Sequence, residues 1–495
     1  MKKEISLSEN KEPLAGGEEK RAVSVKVQPQ NTLLEALEEQ NILMEGGCSG
    51  MGRCGRCRVR YQTGAPLPAA AERHFFSAQE LRSGWRLACL HKADRDCLVE
   101  PDFVRPARVE IVAEAPLTAK LRAGESGNET RESGNGTKQK SRWCIAVDLG
   151  TTTIAMQARS LADGEILAVW KAMNPQRRFG SDVISRMQVA REGRKEELKS
   201  AVERVLEAGI GILIEQAQTK APGALCGIYL AGNTVMEHLL AGLSVEGLSR
   251  HPFTPVTLDE QHVRIGLDKV TLLPGLSAFV GADVLAGVLA CGMHRRDEVG
   301  LLIDLGTNGE LVLGNRERLL CTATAAGPAF EGGPGNAAPG TDMIAVIAEL
   351  MEAGIVDETG LLAEPWFETG ISWKQIHMTQ EQIRAVQMAK AAIYAGICVL
   401  AGEYGIDVSE IGHVWLAGGF GYFLDVGKAA KIGLFPRELE GRVEAAGNTS
   451  LAGAFLYGRN GGDKEAAQIK KICRAINLAG HPGFEEIYLG HLNLQ

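Results

Sequence analysis

The chain of 495 residues is long enough for about three domains of ordinary size. Its 45% hydrophobic and 23% charged residues exclude collagen-like, coiled-coil and wholly disordered architectures. A net charge of −8 opposes nucleic acid and anionic membranes, and the eleven cysteines follow a polar start, Met1 to Glu19, so reduced thiols or metal ligands in a cytoplasmic protein are expected.

Residues 1–21 read as a polar tail. AVSVKVQ (22–28) alternates like a half-buried strand, and Thr32 to Glu39 places Leu33, Leu34 and Leu37 on one helical face behind an Asn31 cap. A glycine-rich loop, EGGCSGMGRCGRC, leads into a strand at Arg58 to Gln62, a short helix near Ala78 to Arg82, and RLACL. Residues 22–105 thus form one compact module. Residues 106–141, rich in Gly, Ser, Asn, Thr and charge from Thr118 onward, lack the apolar surface to order themselves and read as a flexible linker.

Beyond the linker, WCIAVDLGTTTIAMQA predicts a strand, a glycine turn and a returning strand, and LLIDLGTNGELVL at 301–313 repeats the construction. Asp148 and Asp304 lie 156 residues apart, each closing an apolar run and followed by Leu-Gly-Thr. Residues 142–495 therefore read as a duplicated α/β unit with halves of about 142–294 and 295–495, each carrying its own sheet. Helical stretches (Ser181 to Gln218) and a strand ending in Ala231-Gly232-Asn233-Thr234 lie between the copies. Glycine-rich AAGPAFEGGPGN, a helix over Gln380 to Glu403 with Ile383, Met388, Ile393 and Val399 as a core face, and the strand HVWLAGGFG follow the second. No stretch reaches the roughly 18 uncharged apolar residues of a membrane span. The sequons at Asn128, Asn135 and Asn448 are expected to be chance matches.

Five cysteines fall within 50 residues, and the other six are scattered and read as small buried apolar groups. Cys48, Cys54 and Cys57 are spaced C-x5-C-x2-C, with Cys89 after a gap of 31 residues. Four thiolates offset much of the charge of two ferric ions, and the loop glycines let backbone N–H groups reach the sulfurs, so a [2Fe-2S] centre is the reading favoured. Structural zinc, which prefers paired C-x2-4-C units, is the competitor. The pattern resembles plant-type ferredoxins and matches the spacing of adrenodoxin-like ones. Cys97 is an alternative fourth ligand, and Arg53, Arg56 and Arg58 suggest an electropositive rim for an acidic redox partner or a plain solvated face.

A turn of Gly and Thr after a strand can aim N–H groups and a hydroxyl at phosphate oxygens, while the preceding Asp orients the water of a Mg²⁺ ion. One such turn is a weak signal; two in a duplicated chain, with AGGFG after a later strand, make a strong one. The arrangement resembles the actin, sugar kinase and heat-shock chaperone ATPase superfamily. The resemblance implies a first phosphate motif at Asp148, Gly150, Thr151 and Thr152, a second at Asp304, Gly306, Thr307 and Asn308, and an adenosine motif at Gly418, Gly419 and Gly421, with the two aspartates catalytic. Asn233 reads either as part of the segment connecting the halves or as a helix cap.

The two modules in this order resemble the reductive activators of corrinoid-dependent enzymes, and NPQRRFGSDVISRM, DLGTNGE and TAAGPAFEGG look like that family's segments. The expected fold is a β-grasp α+β ferredoxin followed by an α/β duplicated actin-like ATPase. The resemblance implies ATP, Mg²⁺ and a [2Fe-2S] cluster as cofactors. It also implies a corrinoid protein or corrinoid methyltransferase and a low-potential electron donor as partners, with no nucleic acid, no membrane, and a homodimer left open. The implied reaction is ATP-dependent delivery of one electron to Co(II), regenerating Co(I). A nucleotide-switched binding module or a small-molecule kinase carrying a ferredoxin domain is the alternative. The only G-x-G-x-x-G match, Gly50 to Gly55, lies inside the cysteine loop and does not support a dinucleotide-using reductase.

Overall fold

The computed structural model describes residues 22–26, 28–40, 44, 52, 55, 57–101, 141–180, 182–306, 308–324, 340–374, 376–421 and 424–494. The polar tail, most of the linker, Cys48, Cys54, Arg53, Arg56, Thr307, the sequons at Asn128 and Asn135, and AAGPAFEGGPGN lie outside them. The chain divides into two compact units, Met1–Ala107 and Arg108–Gln495.

The first unit contains β1 (Val23–Val25), β2 (Gln28–Thr32), β3 (Arg58–Tyr61), β4 (Trp85–Leu87), β5 (Lys92–Ala93) and β6 (Cys97–Pro101). Its main sheet runs β1-β6-β3-β4 with antiparallel neighbours, and β2 and β5 form a separate ribbon. The helix Leu33–Glu39 buries Leu33, Leu34 and Leu37 against Val25, Val59, Leu87 and Val99, which is the α+β arrangement expected of a ferredoxin. Its cap is Thr32 rather than Asn31: Thr32 Oγ1 accepts from the Glu35 N–H at 3.2 Å and the Glu35 carboxylate accepts from the Thr32 N–H at 2.7 Å. This reciprocal pair satisfies two N–H groups at once, which moves the start one residue on.

The second unit carries two six-stranded sheets. The first comprises β7 (Ser141–Leu149), β8 (Thr153–Ser160), β9 (Ile166–Met173), β10 (Gly223–Gly232), β11 (Gln261–Ile265) and β12 (Asp268–Leu272), in the order β11-β12-β10-β7-β8-β9. After it come β13 (Gly300–Leu305), β14 (Gly309–Gly314), β15 (Leu319–Thr324), the small ribbon β16 (Ile371–Trp373) and β17 (Ile376–Met378), β18 (His413–Ala417), β19 (Val443–Gly447) and β20 (Cys473–Ala475). The second large sheet runs β19-β18-β13-β14-β15-β20. In both sheets an antiparallel meander (β7 to β9, β13 to β15) is extended by a parallel strand (β10, β18) on the other edge of its first member. The duplication read from the two Asp-Leu-Gly-Thr runs is therefore a duplication of topology.

Long helices cover each sheet, Lys195–Lys220 on the first and Gln380–Tyr404 on the second. The latter is, among the described residues, the one helix long and apolar enough to cross a membrane, yet Ile383, Val386, Ile393, Ile397 and Leu400 are sealed in the core of its half. Met388, expected on that core face, is instead 52% exposed, because it falls on the opposite side of the 3.6-residue period from Ile383 and Ile393. Of the scattered cysteines, Cys144, Cys291 and Cys321 are buried as expected, Cys398 and Cys473 are half-buried, and Cys226 is exposed.

Two helices cross where the halves meet, Ala282–Cys291 and Thr449–Asn460. Each contains Leu-Ala-Gly, at 285–287 and 451–453, and the glycines are what let the backbones touch. A Cβ on Gly453 would stand 1.9 Å from the Ala286 carbonyl oxygen. The helices bury Leu285, Val288, Leu451 and Phe455 in a core shared with Leu302, Val312 and Trp415 of the second sheet and Cys144 and Ala146 of the first.

Candidate functional site

The β3–β4 pairing closes the long gap between the third and fourth cysteines. Arg58 pairs with Leu87, and the Ala88 N–H donates to the Cys57 carbonyl at 2.8 Å, so Cys57 at the mouth of β3 faces Cys89 just past β4. The two thiols are buried and in hydrogen-bonding contact, and that contact together with burial raises the Cys57 pKa. Adjacent buried thiols that resist ionisation alone suit a site where iron supplies the countercharge. Gly52 and Gly55 both have φ near +68°, at 67° and 69°, and a Cβ would come within 2.6 Å of Leu90 and 2.4 Å of Phe75. At these two positions the backbone runs so close to Leu90 and Phe75 that only glycine fits. Cys97 is at the far end of β6: Val59 pairs with Pro101 and Tyr61 with Val99, which displaces Cys97 from Cys57 by six positions along the strands, about 20 Å at about 3.3 Å per residue.

The segment bearing Cys89 is pinned by Glu72. Its buried carboxylate accepts from the Leu87 N–H (2.5 Å) and the Ala69 N–H (2.7 Å) and meets His91 Nε2 at 3.0 Å. Burial pushes its pKa up, but these hydrogen bonds outweigh burial and hold the carboxyl below its usual value. Glu72→Leu leaves two buried N–H groups unsatisfied and is expected to cost about 1–3 kcal/mol, read from urea unfolding of the ferredoxin unit. Arg58 lies over the Phe76 and Trp85 rings, 4.7 and 5.6 Å from their centroids, and pairs with Glu80 at 3.1 Å. It is packed into its own domain, so of the three arginines it is not a free docking charge.

In the second unit the strand registers set each hairpin's aspartate next to the end of its strand and bring the second hairpin beside the AGG turn. Asp148 ends β7 opposite Ala155 and Ala231, whose small side chains leave it room, and Asp304 ends β13 opposite Glu310 and Ala417. Gly150, Thr151 and Thr152 form the first turn, with a Cβ on Gly150 only 2.8 Å from the Thr153 carbonyl. Buried residues brace that turn from behind. Asn174 Nδ2 donates to the Gly150 carbonyl at 2.8 Å, the Asn174 N–H donates to Thr152, and Arg186 donates to the Thr151 carbonyl at 2.6 Å. In the second turn the Gly306 N–H donates to the Asn308 carbonyl at 3.0 Å.

Gly418, Gly419 and Gly421 form a single helical turn directly after β18. Gly418 has φ +86°, and a Cβ there would lie 2.4 Å from the Leu305 carbonyl and 2.7 Å from Asp304 Oδ1. Its missing side chain thus serves the approach of the second hairpin. Asn233 caps the helix Thr234–Leu240, its Oδ1 accepting from the Val235 N–H, which is the cap reading of that residue.

Asp148 accepts from two side chains of the other half, Asn448 Nδ2 at 2.7 Å and Ser450 Oγ at 2.8 Å. Near it stand Asp283, at the start of the crossing helix, and Asp304, and next to those two stands Glu310. Burial pushes the Asp283 carboxyl up to about 7 and the Asp304 carboxyl up to about 8, and repulsion from neighbouring carboxylates adds to both. Asp148 is also raised by burial, against the pull of its two hydrogen bonds, and burial and Asp283 and Asp304 raise Glu310 well above the usual range. The site wants positive charge and holds protons in its place.

The pH consequence has a definite sign. Folded pKa values of about 7 and 8 exceed the ordinary value of 3.8, so stability contributed by the protonated forms is full in acid and is lost as pH rises through 7 and 8. A bound divalent cation reverses the preference and expels the protons. The nucleotide-free protein is therefore expected to melt lower at pH 9 than at pH 6. Cation binding among these carboxylates is expected to release protons and, below those pKa values, to tighten by up to about tenfold per proton for each pH unit of rise. Calorimetry in buffers of differing ionisation enthalpy checks both.

Asp283, Glu310, Asn448, Ser450, Asn174 and Arg186 are the site residues that sequence reading did not single out. Asp283 had a signal, as the one charge in the apolar run Val280 to Met293. Nothing in the sequence tied Asn448 or Ser450 to Asp148, 300 and 302 residues away.

A cysteine-bearing ferredoxin fold joined to a duplicated fold with paired Asp-Leu-Gly-Thr hairpins defines an iron–sulfur protein with an actin-like, nucleotide-binding ATPase domain. Family models match along the chain: the 2Fe-2S iron-sulfur cluster binding domain at 18–94, the RACo middle region at 143–296, and the C-terminal domain of RACo, the ASKHA domain, at 298–338 and 335–495. The corrinoid activation enzyme RamQ of Eubacterium limosum is 33% identical over 425 residues, covering 71% of this chain and 70% of that one. The chain belongs to the RACo family. The Co(II) methylated amine-specific corrinoid protein reductase of Methanosarcina barkeri is 23% identical over 237 residues, 37% of this chain and 43% of that one. The solved structure of a reductive activator for corrinoid, iron-sulfur protein shares the fold, with a TM-score of 0.63, 24% identity, and coverage of 95% of this chain and 96% of that one.

Proposed function

We propose that the protein is an ATP-dependent reductive activator that passes one electron from its [2Fe-2S] cluster to the Co(II) of a corrinoid protein or corrinoid methyltransferase, regenerating Co(I). The observation that carries the reading is one chain holding a ferredoxin with the Cys57–Cys89 pair and an ATPase fold whose two hairpins meet at a carboxylate cluster. Relatives whose names state corrinoid activation and Co(II) corrinoid reduction support it.

Cys48, Cys54, Cys57 and Cys89 would hold the cluster, which supplies a one-electron carrier near roughly −400 mV for the plant type. A cobalt couple lower than that makes transfer uphill, tenfold less favourable for every ~59 mV. Nucleotide binding has to supply the difference. Gly150, Thr151, Thr152, Gly306, Thr307 and Asn308 would direct N–H and hydroxyl groups at the phosphates, with Gly418, Gly419 and Gly421 on the adenosine side. Asp148 and Asp304 would hold water of a hydrated Mg²⁺.

The test is the ATP-dependent appearance of the Co(I) spectrum when a low-potential reductant and an oxidised corrinoid protein are supplied. Reduction that ignores ATP, or phosphate transfer to a small acceptor in its place, sinks the proposal.

A further inference from the structure

Asp148 belongs to the first half, yet its carboxylate is held by the second. Asn448 and Ser450 are almost fully buried, at 8% and 5% exposure, and stand in the first turn of Thr449–Asn460. Asn448 is committed at both ends: its Oδ1 caps the helix by accepting from the Leu451 N–H at 2.7 Å, and its Nδ2 donates to Asp148 Oδ2 at 2.7 Å. Ser450 Oγ donates to Asp148 Oδ1 at 2.8 Å. Both carboxylate oxygens are thereby occupied by one turn of helix. Three residues further on, Gly453 lies against Ala286 in the close crossing between the halves.

We infer that Asn448 and Ser450 are positioning residues that sense the phosphate site. They hold Asp148 in the nucleotide-free protein, release it when the water of a Mg–nucleotide competes for the same oxygens, and so loosen the first turn of the crossing helix. The inference rests on the nucleotide reading of Asp148. It goes beyond that reading by naming the contact through which nucleotide binding in one half reaches the other. Coupling between the halves is then a competition for one carboxylate, and by linkage whatever loosens the turn must also tighten the nucleotide.

Hydrogen exchange of the full iron-loaded protein tests this. Mg–ATP should speed exchange in the peptide spanning 448–454. In Ser450→Ala and in Asn448→Ser, which keeps a helix-capping oxygen, exchange there should already be fast and no longer respond to nucleotide. Ser450→Ala should bind Mg–ATP more tightly, by up to about tenfold for one charge-assisted hydrogen bond removed from the competing state. Unchanged exchange on a protein that demonstrably binds Mg–ATP, or an unchanged affinity in Ser450→Ala, overturns the sensor alone. If Mg–ATP binds wild type, Asp148→Asn and Asp304→Asn equally well, the nucleotide site is wrong and the sensor falls with it.

Discussion

Asp304→Asn should lower ATP hydrolysis, and with it nucleotide-driven reduction, on the order of 10² to 10⁴-fold, while the iron–sulfur absorption stays intact. The physical reason is the cost of keeping that carboxyl where it is. Burial and the neighbouring Asp283 and Asp148 push it up to about 8, so its charge is opposed by the folded protein at neutral pH. A neutral amide of the same shape relieves that opposition, and the variant should melt no lower than wild type, and higher above pH 8. Loss of activity together with unchanged or improved stability is the signature of a catalytic carboxylate. A variant that loses both is a structural one. Asp148→Asn differs in a way that can be read beforehand. Asn448 Nδ2 and Ser450 Oγ both donate to Asp148, so an amide there keeps its oxygen for Asn448, turns the Ser450 hydroxyl from donor to acceptor, and exchanges two charge-assisted hydrogen bonds for weaker neutral ones. It should lose activity and some stability as well.

The parts legible in the sequence were those encoded locally. A strand, a Gly-Thr turn and a returning strand are contiguous, so their repetition after Asp148 and Asp304 revealed both the duplicated sheets and the site between them. The cysteine spacing is equally local and led to Cys57 and Cys89, which the β3–β4 pairing sets side by side. What escaped was made by tertiary contact. Asp283 belongs to the site because its helix crosses between the halves, and Asn448 joins it from across the chain with no pattern except a cap-forming Asn before a helix. That the missing side chain of Gly418 makes way for Asp304 and the Leu305 carbonyl shows only in the packing. The thiols scattered after residue 142 split between buried and exposed because a lone cysteine carries no periodicity to say which side of an element it faces.

Cys57→Ala should abolish the visible iron–sulfur absorption and the electron delivery that depends on it, and leave nucleotide hydrolysis in the second unit running. Cys89→Ala should do the same. The contrast that makes the assignment sharp is Cys97→Ala. Cys97 is paired with Val25 at the other end of β6, about 20 Å along the strands from Cys57 at about 3.3 Å per residue. A cluster of two irons bridged by sulfide cannot reach that far without unpairing β6. Its replacement should therefore keep full absorption. Zinc in place of iron would show as a colourless protein whose metal content, measured by emission spectroscopy, follows Cys57 and Cys89. If Cys97→Ala bleaches the protein and Cys89→Ala does not, the ligand set is wrong even though the strand pairing is right.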